Sequence, residues 1–527
     1  ARFGPEGVEA GDTLYVCGGH VYTTSESADF AAQALLTIKE TGHSEDHPIT
    51  IRMDYASDPG VVWGAFLDQR WGGDVWNGPD ANDVYWSDDI DYYSAGLFQD
   101  IDGFDGVLLD KETAATWTGH YGACYREGGR TFVKTTDGDD PTDRIYESFG
   151  YRIDLGRARY VEFLNCDFRA SKQGTENGTA SDVPLTHHVV WDGCDMKYAS
   201  HSLLSFYDGQ EHFTVRNCDL SYAGNGIYCI SSSNDSASHL RFENNTIHHI
   251  GFEWPNGDSH AIGIQGGRDI KATGNVCFDV GTGPAIYCFT HQECEDVEFA
   301  YNYVHDLHTG GGATGYGIFT MCNNDSMSDK FGLSIHDNII VRASRGLLVQ
   351  FEDGHEVYNN TVHDSGSGIV TSRNFELMGS DFDARNNVFS EPGAYHTMLY
   401  SGASDVDYDL DYNRYWPDGA TLFRRIREEM DFAAWQALVE TNCTYDPNSA
   451  VADPKFVNAG GSFDLASDFR LSWDSPAIDA GDPTLDCPPA FGGQPIYGRR
   501  DIGAWEYQPP YALGVDAFHA DAAVRIY

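Results

Sequence analysis

The chain has 527 residues, 81 acidic against 33 basic side chains, and a formal charge of −48. A surface this acidic repels nucleic acid and anionic membranes, and the sequence holds no run of about eighteen apolar residues that would span a bilayer. The acids are spread along the chain rather than gathered in a tail, which suits a surface adapted to salt or solubility and leaves room for Ca²⁺ sites.

Residues 1–60 contain two strand-like phrases, GDTLYVCGGHVY and HPITIRMDY, with DFAAQALLTIKE between them at helical spacing. They read as the cap and first coils that a solenoid needs to cover its open end. The start, ARFGPEGVEAGDTLYV, reads as that of a mature or trimmed protein, so a secreted chain in a saline environment is expected. Residues 61–150 turn aromatic and acidic, with hairpin alternation around GG and DGDDP. This is a small β-rich insertion whose Trp76, Tyr85, Trp86, Tyr92 and Tyr93 either line a cleft or pack a mini-core.

From 151 to 415 one phrase recurs: an alternating apolar strand, an Asn, then another apolar pair. It appears as VEFLNCDF (161–168), FTVRNCDL (213–220), FENNTI (242–247), KATGNVCF (271–278), FAYNYV (299–304), SIHDNII (334–340), VYNNTV (357–362) and ARNNVF (384–389). Taking Asn217, Asn245, Asn275, Asn302, Asn338, Asn360, Asn387 and Asn413 as equivalent, the interval varies from 22 to 36 residues, with weaker copies at Asn165 and Gly193. Period-two strands between Gly, Asn, Asp and Ser exclude helical repeats and give a right-handed parallel β-helix, one coil per repeat. Asn fits a fixed turn position because it tolerates the left-handed conformation and its amide can bond to the next Asn in the stack.

Twelve cysteines at this length do not make a disulfide scaffold, and no spacing among them suggests zinc. Cys166, Cys194 and Cys218 fall at one place in three successive coils, and Cys229 and Cys288 share an inward column, as small buried core residues would. Cys443 and Cys487 are the better disulfide candidates. Residues 416–507 form a C-terminal cap, with an amphipathic helix expected over 424–440, and 508–527 are a tail. The fold class is all-β: a solenoid with a β-rich N-terminal insertion and a C-terminal cap containing one helix.

The ending SPAIDAG…DIGAWEY, joined to the Asn-bearing coils and the GDTLYV start, resembles the secreted β-helical proteins of the pectate-lyase-like superfamily. The resemblance covers most of the chain and implies carbohydrate as partner. It does not choose among lyases, glycoside hydrolases, epimerases, phage tailspikes and adhesins.

Aligning the strand that follows each Asn turn places Ile227, Ile262, Ile286, Ile318, Leu347 and Ile369 in an inward column. Outward then stand His201, Asn225, His260, Pro284, Tyr316, Arg345 and Ser367; next Leu204, Tyr228, Gly263, Tyr287, Phe319 and Leu348; then Phe206, Ile230, Gln265, Phe289, Met321 and Gln350. Such an aromatic face either stacks sugar rings or is covered by loops. For a sugar, Tyr228, Gln265, Tyr287, Phe289, His291, Tyr316, Phe319 and Gln350 are the candidate binders, and Gly263 leaves a notch for a ring. Coils ~4.8 Å apart let carboxylates on neighbouring coils meet the spacings of glycoside hydrolysis.

The leading expectation is therefore a glycoside hydrolase needing no cofactor. Its carboxylate Asp258, assisted by His260, would pair with Asp325, Glu352 or Asp353. The first alternative is a lyase acting by Ca²⁺-assisted β-elimination on a uronate polymer. It needs a cation and a base, for which the superfamily resemblance implies Arg, Lys or Tyr; the chain offers Arg345 and Tyr316, with Arg268 and Lys271 as further cations. The second is a non-enzymatic carbohydrate-binding adhesin or tailspike. HDLHTGGGATGYG, in the longest coil, reads as a mobile loop over the groove.

Overall fold

The computed structural model describes residues 10–16, 34–37, 44–46, 48–54, 62–63, 65–68, 76–87, 97–99, 107–108, 110–112, 123–127, 130–141, 145–149, 151–155, 158–171, 173–176, 186–206, 209–230, 237–251, 259–281, 283–290, 294–307, 315–322, 332–350, 355–365, 373–377, 381–399, 407–458 and 465–509. The chain divides into two compact units. One comprises residues 1–295, 308–315 and 323–327; the other comprises 296–307, 316–322 and 328–527.

Each unit is a parallel β-helix. A coil runs through a strand of a first ladder, the Asn turn, a strand of a second ladder, and a strand of a third. In the first unit the first ladder stacks Arg159–Leu164, His187–Asp192, Glu211–Arg216, Ser238–Glu243 and Gly267–Thr273 in register. Its inward positions stack Phe163 on Trp191 at 3.9 Å between ring centroids, and Val215 and Phe242 continue that column. In the second unit Leu333–His336, His355–Tyr358, Asp381–Arg385 and Asp407–Asp411 repeat the pattern. Every coil thus buries one apolar layer, and each fully buried Leu, Ile or Phe contributes roughly 1.5–3 kcal/mol.

The turn divides between two adjacent residues the work expected of one asparagine. Asn165, Gly193, Asn217, Asn244, Gly274, Tyr301, Asp337, Asn359, Asn386 and Tyr412 hold φ between 52° and 69° and make the bend. The residue after each forms the ladder. In the second unit Asn302, Asn338, Asn360 and Asn387 each donate from Nδ2 to the next Oδ1 at 2.9–3.1 Å, and Asn413 ends the run on buried Asp446 at 2.9 Å. Asn217 is therefore equivalent to Asn244, not Asn245. Its ladder neighbour is Cys218, which continues Cys166 and Cys194; Cys194 Sγ lies 3.3 Å from the Phe163 carbonyl, the kind of acceptor that Asn245 Nδ2 finds in Val215 at 2.9 Å.

Three local expectations change. Within DFAAQALLTIKE, Ala34–Thr37 is a strand parallel to Tyr151–Asp154, its Ala-Leu-Leu-Thr recruited by a neighbouring edge. The helix expected over 424–440 is only Phe432–Gln436. Asp431 caps it by accepting from Ala434 N, Phe423–Arg425 and Glu428–Met430 form a hairpin before it, and Val439 is 93% exposed. Cys443 and Cys487 are free thiols, the latter accepting a bond from Asn359 Nδ2 at 3.2 Å. By contrast Cys229 and Cys288 share one buried column through Ile264.

Among its described residues the insertion carries two four-stranded sheets, and Ala123–Glu127 pairs antiparallel with Arg130–Lys134, Glu127 facing Arg130. Tyr85 is buried there, opposite Val133; Tyr92 and Tyr93 lie outside the described residues. The SPAIDAG and DIGAWEY segments strap the second unit's own Asn turns. Gly503 N donates to the Asn386 carbonyl, Ala504 N to Thr361 Oγ1, and Arg500 is ion-paired with buried Asp337. A Cβ on Gly503 would meet Thr361 Oγ1 and Val388 Cγ2 at 2.9 Å, so this approach needs glycine.

Candidate functional site

The third ladder carries the candidate face, and its register follows the expected alternation in part. Ile227, Ile262 and Ile286 are inward partners in the first unit, and Tyr228, Gly263 and Tyr287 form the next outward column. One coil earlier the register slips, because Asp195–Phe206 is irregular between Ala199 and Ser202. Leu204 then pairs with Ile227 and Phe206 with Cys229, both fully buried, and Ser205 takes the place beside Tyr228.

In the first unit the face is closed. Tyr228, Gln265, Tyr287 and Phe289 are only 8–9% exposed, and His260 is 1% exposed. His260 Nδ1 lies 3.2 Å from the Pro284 carbonyl, its backbone N donates to Asn225 Oδ1 at 2.8 Å, and its ring stacks on Tyr287 at 4.5 Å. A Cβ on Gly263 would lie 2.9 Å from both His260 Cδ2 and Tyr228 Cδ2. The notch expected to receive a sugar ring is filled by the chain's own rings. His260 is thereby buried, bonded and stacked within the chain.

In the second unit the face is charged, with Leu348, Arg373, Glu376 and Met398 buried. Tyr316 pairs with Arg345, Arg345 with Arg373 and Arg373 with Tyr395, giving one outward column; Phe319, Leu348, Glu376, Met398 and Arg424 give the next. Tyr316, Phe319, Arg345 and Gln350 are all half-buried. The Arg345 guanidinium lies 4.9 Å from the Tyr316 ring centroid, a cation–π contact, and 3.4 Å from Glu376. Glu376 is 1% exposed and is also ion-paired with Arg373, whose guanidinium burial pushes toward its neutral form. Farther along, Tyr395 donates to Glu429 at 2.6 Å, and the Arg424 guanidinium sits 5.5 Å from the Tyr395 ring. The two arginines around Glu376 carry a net positive charge on a chain that is otherwise strongly acidic.

Of the expected catalytic residues, Asp258, Asp325, Glu352 and Asp353 lie outside the described residues, as does His291. Arg268 and Lys271 belong to the first ladder of the first unit; Arg268 faces Glu295 at 3.6 Å. The strand following Arg345–Gln350 is Arg373–Leu377, so Phe375 takes the inward place assigned to Ile369, and Arg373 the outward place assigned to Ser367. That shift hid Arg373 and Glu376. Regular alternation would not have found them, because residues three apart in a strand fall on opposite faces, yet Arg373 and Glu376 are ion-paired. His305, expected in a loop, is buried against Tyr303 and bonded to Asp306, while 308–314 lie outside the described residues. Among the described residues, no three of His, Cys, Asp and Glu converge as metal ligands. No helix among them is long and apolar enough to cross a membrane.

A right-handed β-helix family model matches residues 189–389. The solenoid is thus a right-handed parallel β-helix. No curated protein matches the chain. Among solved structures, it is similar to XylC in complex with xylose, at 12% identity and a TM-score of 0.48 over 86% of this chain and 83% of that one. It is also similar to the pectate lyase Pel9A, at 14% identity and a TM-score of 0.40 over 95% and 88%. A third is PfbA, a surface adhesin of Streptococcus pneumoniae, at 9% identity and a TM-score of 0.36 over 49% and 65%. Likeness at this level leaves the activity to be argued from the face itself.

Proposed function

We propose that the protein is a secreted carbohydrate-active enzyme whose working face is the outward side of the strands Tyr316–Cys322, Arg345–Gln350 and Arg373–Leu377. We further propose that it cleaves a uronate-containing polysaccharide by β-elimination. The observation that carries this reading is Arg345, held over Tyr316 and anchored by buried Glu376. Elimination needs positive charge on the substrate carboxylate, to make the neighbouring proton removable, and a group to take that proton. Arg345 supplies the first. Tyr316, on the adjacent coil, is our candidate for the second, taking the proton and returning it to the leaving glycosidic oxygen as the C–O bond breaks, while the rings of Tyr316 and Phe319, with centroids 5.3 Å apart, offer apolar contact to a sugar. Glu376, ion-paired with two guanidinium groups and out of solvent, is in this reading the residue that positions Arg345. Ca²⁺ would add positive charge for a polyanion to meet.

The test is incubation with neutral and uronate polysaccharides, with and without Ca²⁺, following new reducing ends together with the ultraviolet absorbance of the unsaturated product. Both signals rising, and both lost in Arg345→Ala and Tyr316→Phe, support elimination. Reducing ends without absorbance would overturn it in favour of hydrolysis by Asp258 with Asp325, Glu352 or Asp353. Binding without cleavage would make the chain an adhesin-like binder.

A further inference from the structure

The second-ladder strand Thr246–Ile250 carries two adjacent histidines, and His249 has φ 53°. In an extended strand neighbouring side chains point to opposite faces; the left-handed residue turns the second ring back beside the first. The two imidazoles meet with their Nδ1 atoms 2.5 Å apart. Their far nitrogens each face a carboxylate, His248 Nε2 at 3.3 Å from Asp219 Oδ1 and His249 Nε2 at 3.0 Å from Asp279 Oδ2. Phe278 stacks on His248 at 4.8 Å and Tyr222 on His249 at 4.5 Å, which fixes both ring planes.

A carboxylate ionised at neutral pH only accepts, so each Nε2 carries the hydrogen and each Nδ1 turns its lone pair toward the other. Two lone pairs at that distance repel unless a cation joins them. The cation is either a proton on one ring or a metal ion. The side chains are 15% and 32% exposed, so an ion can reach them.

We propose that His248 and His249 form a two-imidazole site for a divalent first-row transition ion, with Asp219 and Asp279 as the outer carboxylates that set the ring tautomers. Imidazole suits Zn²⁺, Ni²⁺ and Cu²⁺, and a carboxylate on the remote nitrogen is the arrangement that orients metal-bound histidine. Metal–nitrogen bonds of ~2.0–2.1 Å at near-right angles place two donors about 3 Å apart, so the rings need only part by about half an ångström. The remaining positions are left to water, which makes the site exchangeable. It does not depend on the polysaccharide reading.

His187 and His188 supply an internal control. Their Nδ1 atoms are 2.7 Å apart, but the acid facing His188 Nε2 is Glu45 at 3.4 Å, a side chain 78% exposed. That pair is expected to bind more weakly.

The experiment is titration of the full chain with Cu²⁺, by calorimetry and by the nitrogen coupling in its electron paramagnetic resonance spectrum. The tightest site should show two-nitrogen coupling, persist in the His187→Ala/His188→Ala variant and vanish in His248→Ala/His249→Ala, with unchanged circular dichroism. Asp219→Asn and Asp279→Asn, which keep both ligands, should each weaken binding about 10–100-fold. A tightest site that survives loss of His248 and His249 would overturn the proposal. So would unaltered affinity in both Asn variants.

Discussion

The third ladder is built by the same alternation in both units, yet one face is packed with the chain's own rings and the other carries a buried ion pair beside half-buried Tyr316 and Arg345. In the first unit His260 and Tyr228 close over Gly263, and Tyr287 and Phe289 are buried beside them. In the second, the equivalent columns carry Tyr316 and Arg345, half-buried and in cation–π contact, beside the buried ion pair of Arg373 and Glu376. The difference teaches that an aromatic column on a β-helix is not by itself a binding groove. What separates the two is whether the space over the glycine is filled by the chain's own rings, or whether a buried carboxylate holds arginines on the face.

The largest effect should follow removal of that counter-ion. Glu376→Gln leaves two guanidinium groups facing a neutral amide in a buried position, and breaking such a pair costs about 3–5 kcal/mol. Denaturant unfolding should show the loss in the second unit. A value near zero would mean that Glu376 does not anchor the face.

Arg345→Ala tests the face itself. Loss of one preorganised cation is expected to lower turnover about 10²–10³-fold with little change in stability. The matching change in the sealed face, His260→Ala, should leave turnover per folded molecule unaltered; if it does not, the sealed face takes part in function.

Most of the architecture was legible from the residues, because burial forces period two on every strand and the turn repeats visibly. Ile227, Ile262 and Ile286 stack as read, and so do Ile318 and Leu347. The register was lost at two places where chain length between turn and strand is free to vary. One is the irregular step between Ala199 and Ser202, which moved Leu204 and Phe206 into the core; the other is the stretch before Arg373, which hid Arg373 and Glu376. The first is a one-residue slip, which exchanges the faces of a strand; the second moves the strand from the stretch around Ile369 to Arg373–Leu377. Spacing could not reveal that the His260 ring is packed over Gly263, since that follows from the space the glycine leaves and from the Pro284 carbonyl.

The second unit is also expected to be the acid-sensitive one. His396 is fully buried, with Nε2 donating to the Pro417 carbonyl at 2.8 Å, and burial lowers its imidazole from 6.5 to about 4. Because the folded value is depressed, its contribution is present above about pH 6.5 and is lost as pH falls through about 4. That amounts to about 3 kcal/mol in a single group. His396→Gln should flatten the fall in melting temperature over that window; an unaltered profile would place the acid sensitivity elsewhere.

Smaller again is Gly263→Ala. The added methyl would meet two ring carbons at 2.9 Å, and overpacking of that kind costs about 1–3 kcal/mol. Melting should fall while turnover stays level. A neutral substitution would mean the rings move aside readily and the notch is available after all.

The smallest effect concerns the turn ladder, where the units differ as well: thiols in the early coils, amides later. Cys218 already donates its backbone N to Asn245 Oδ1 at 3.0 Å, as each ladder Asn does to the next, while its Sγ lies 3.7 Å from the Trp191 carbonyl. An amide there reaches that carbonyl more closely than a thiol and can add a second donor to Asn245 Oδ1. Cys218→Asn should therefore extend the ladder by one rung and gain about 0.5–1.5 kcal/mol, the net worth of one hydrogen bond. A loss of stability instead would show that the thiol is there for its small volume beside the stacked Phe163 and Trp191, and that packing, not amide bonding, decides the residue at this end of the stack.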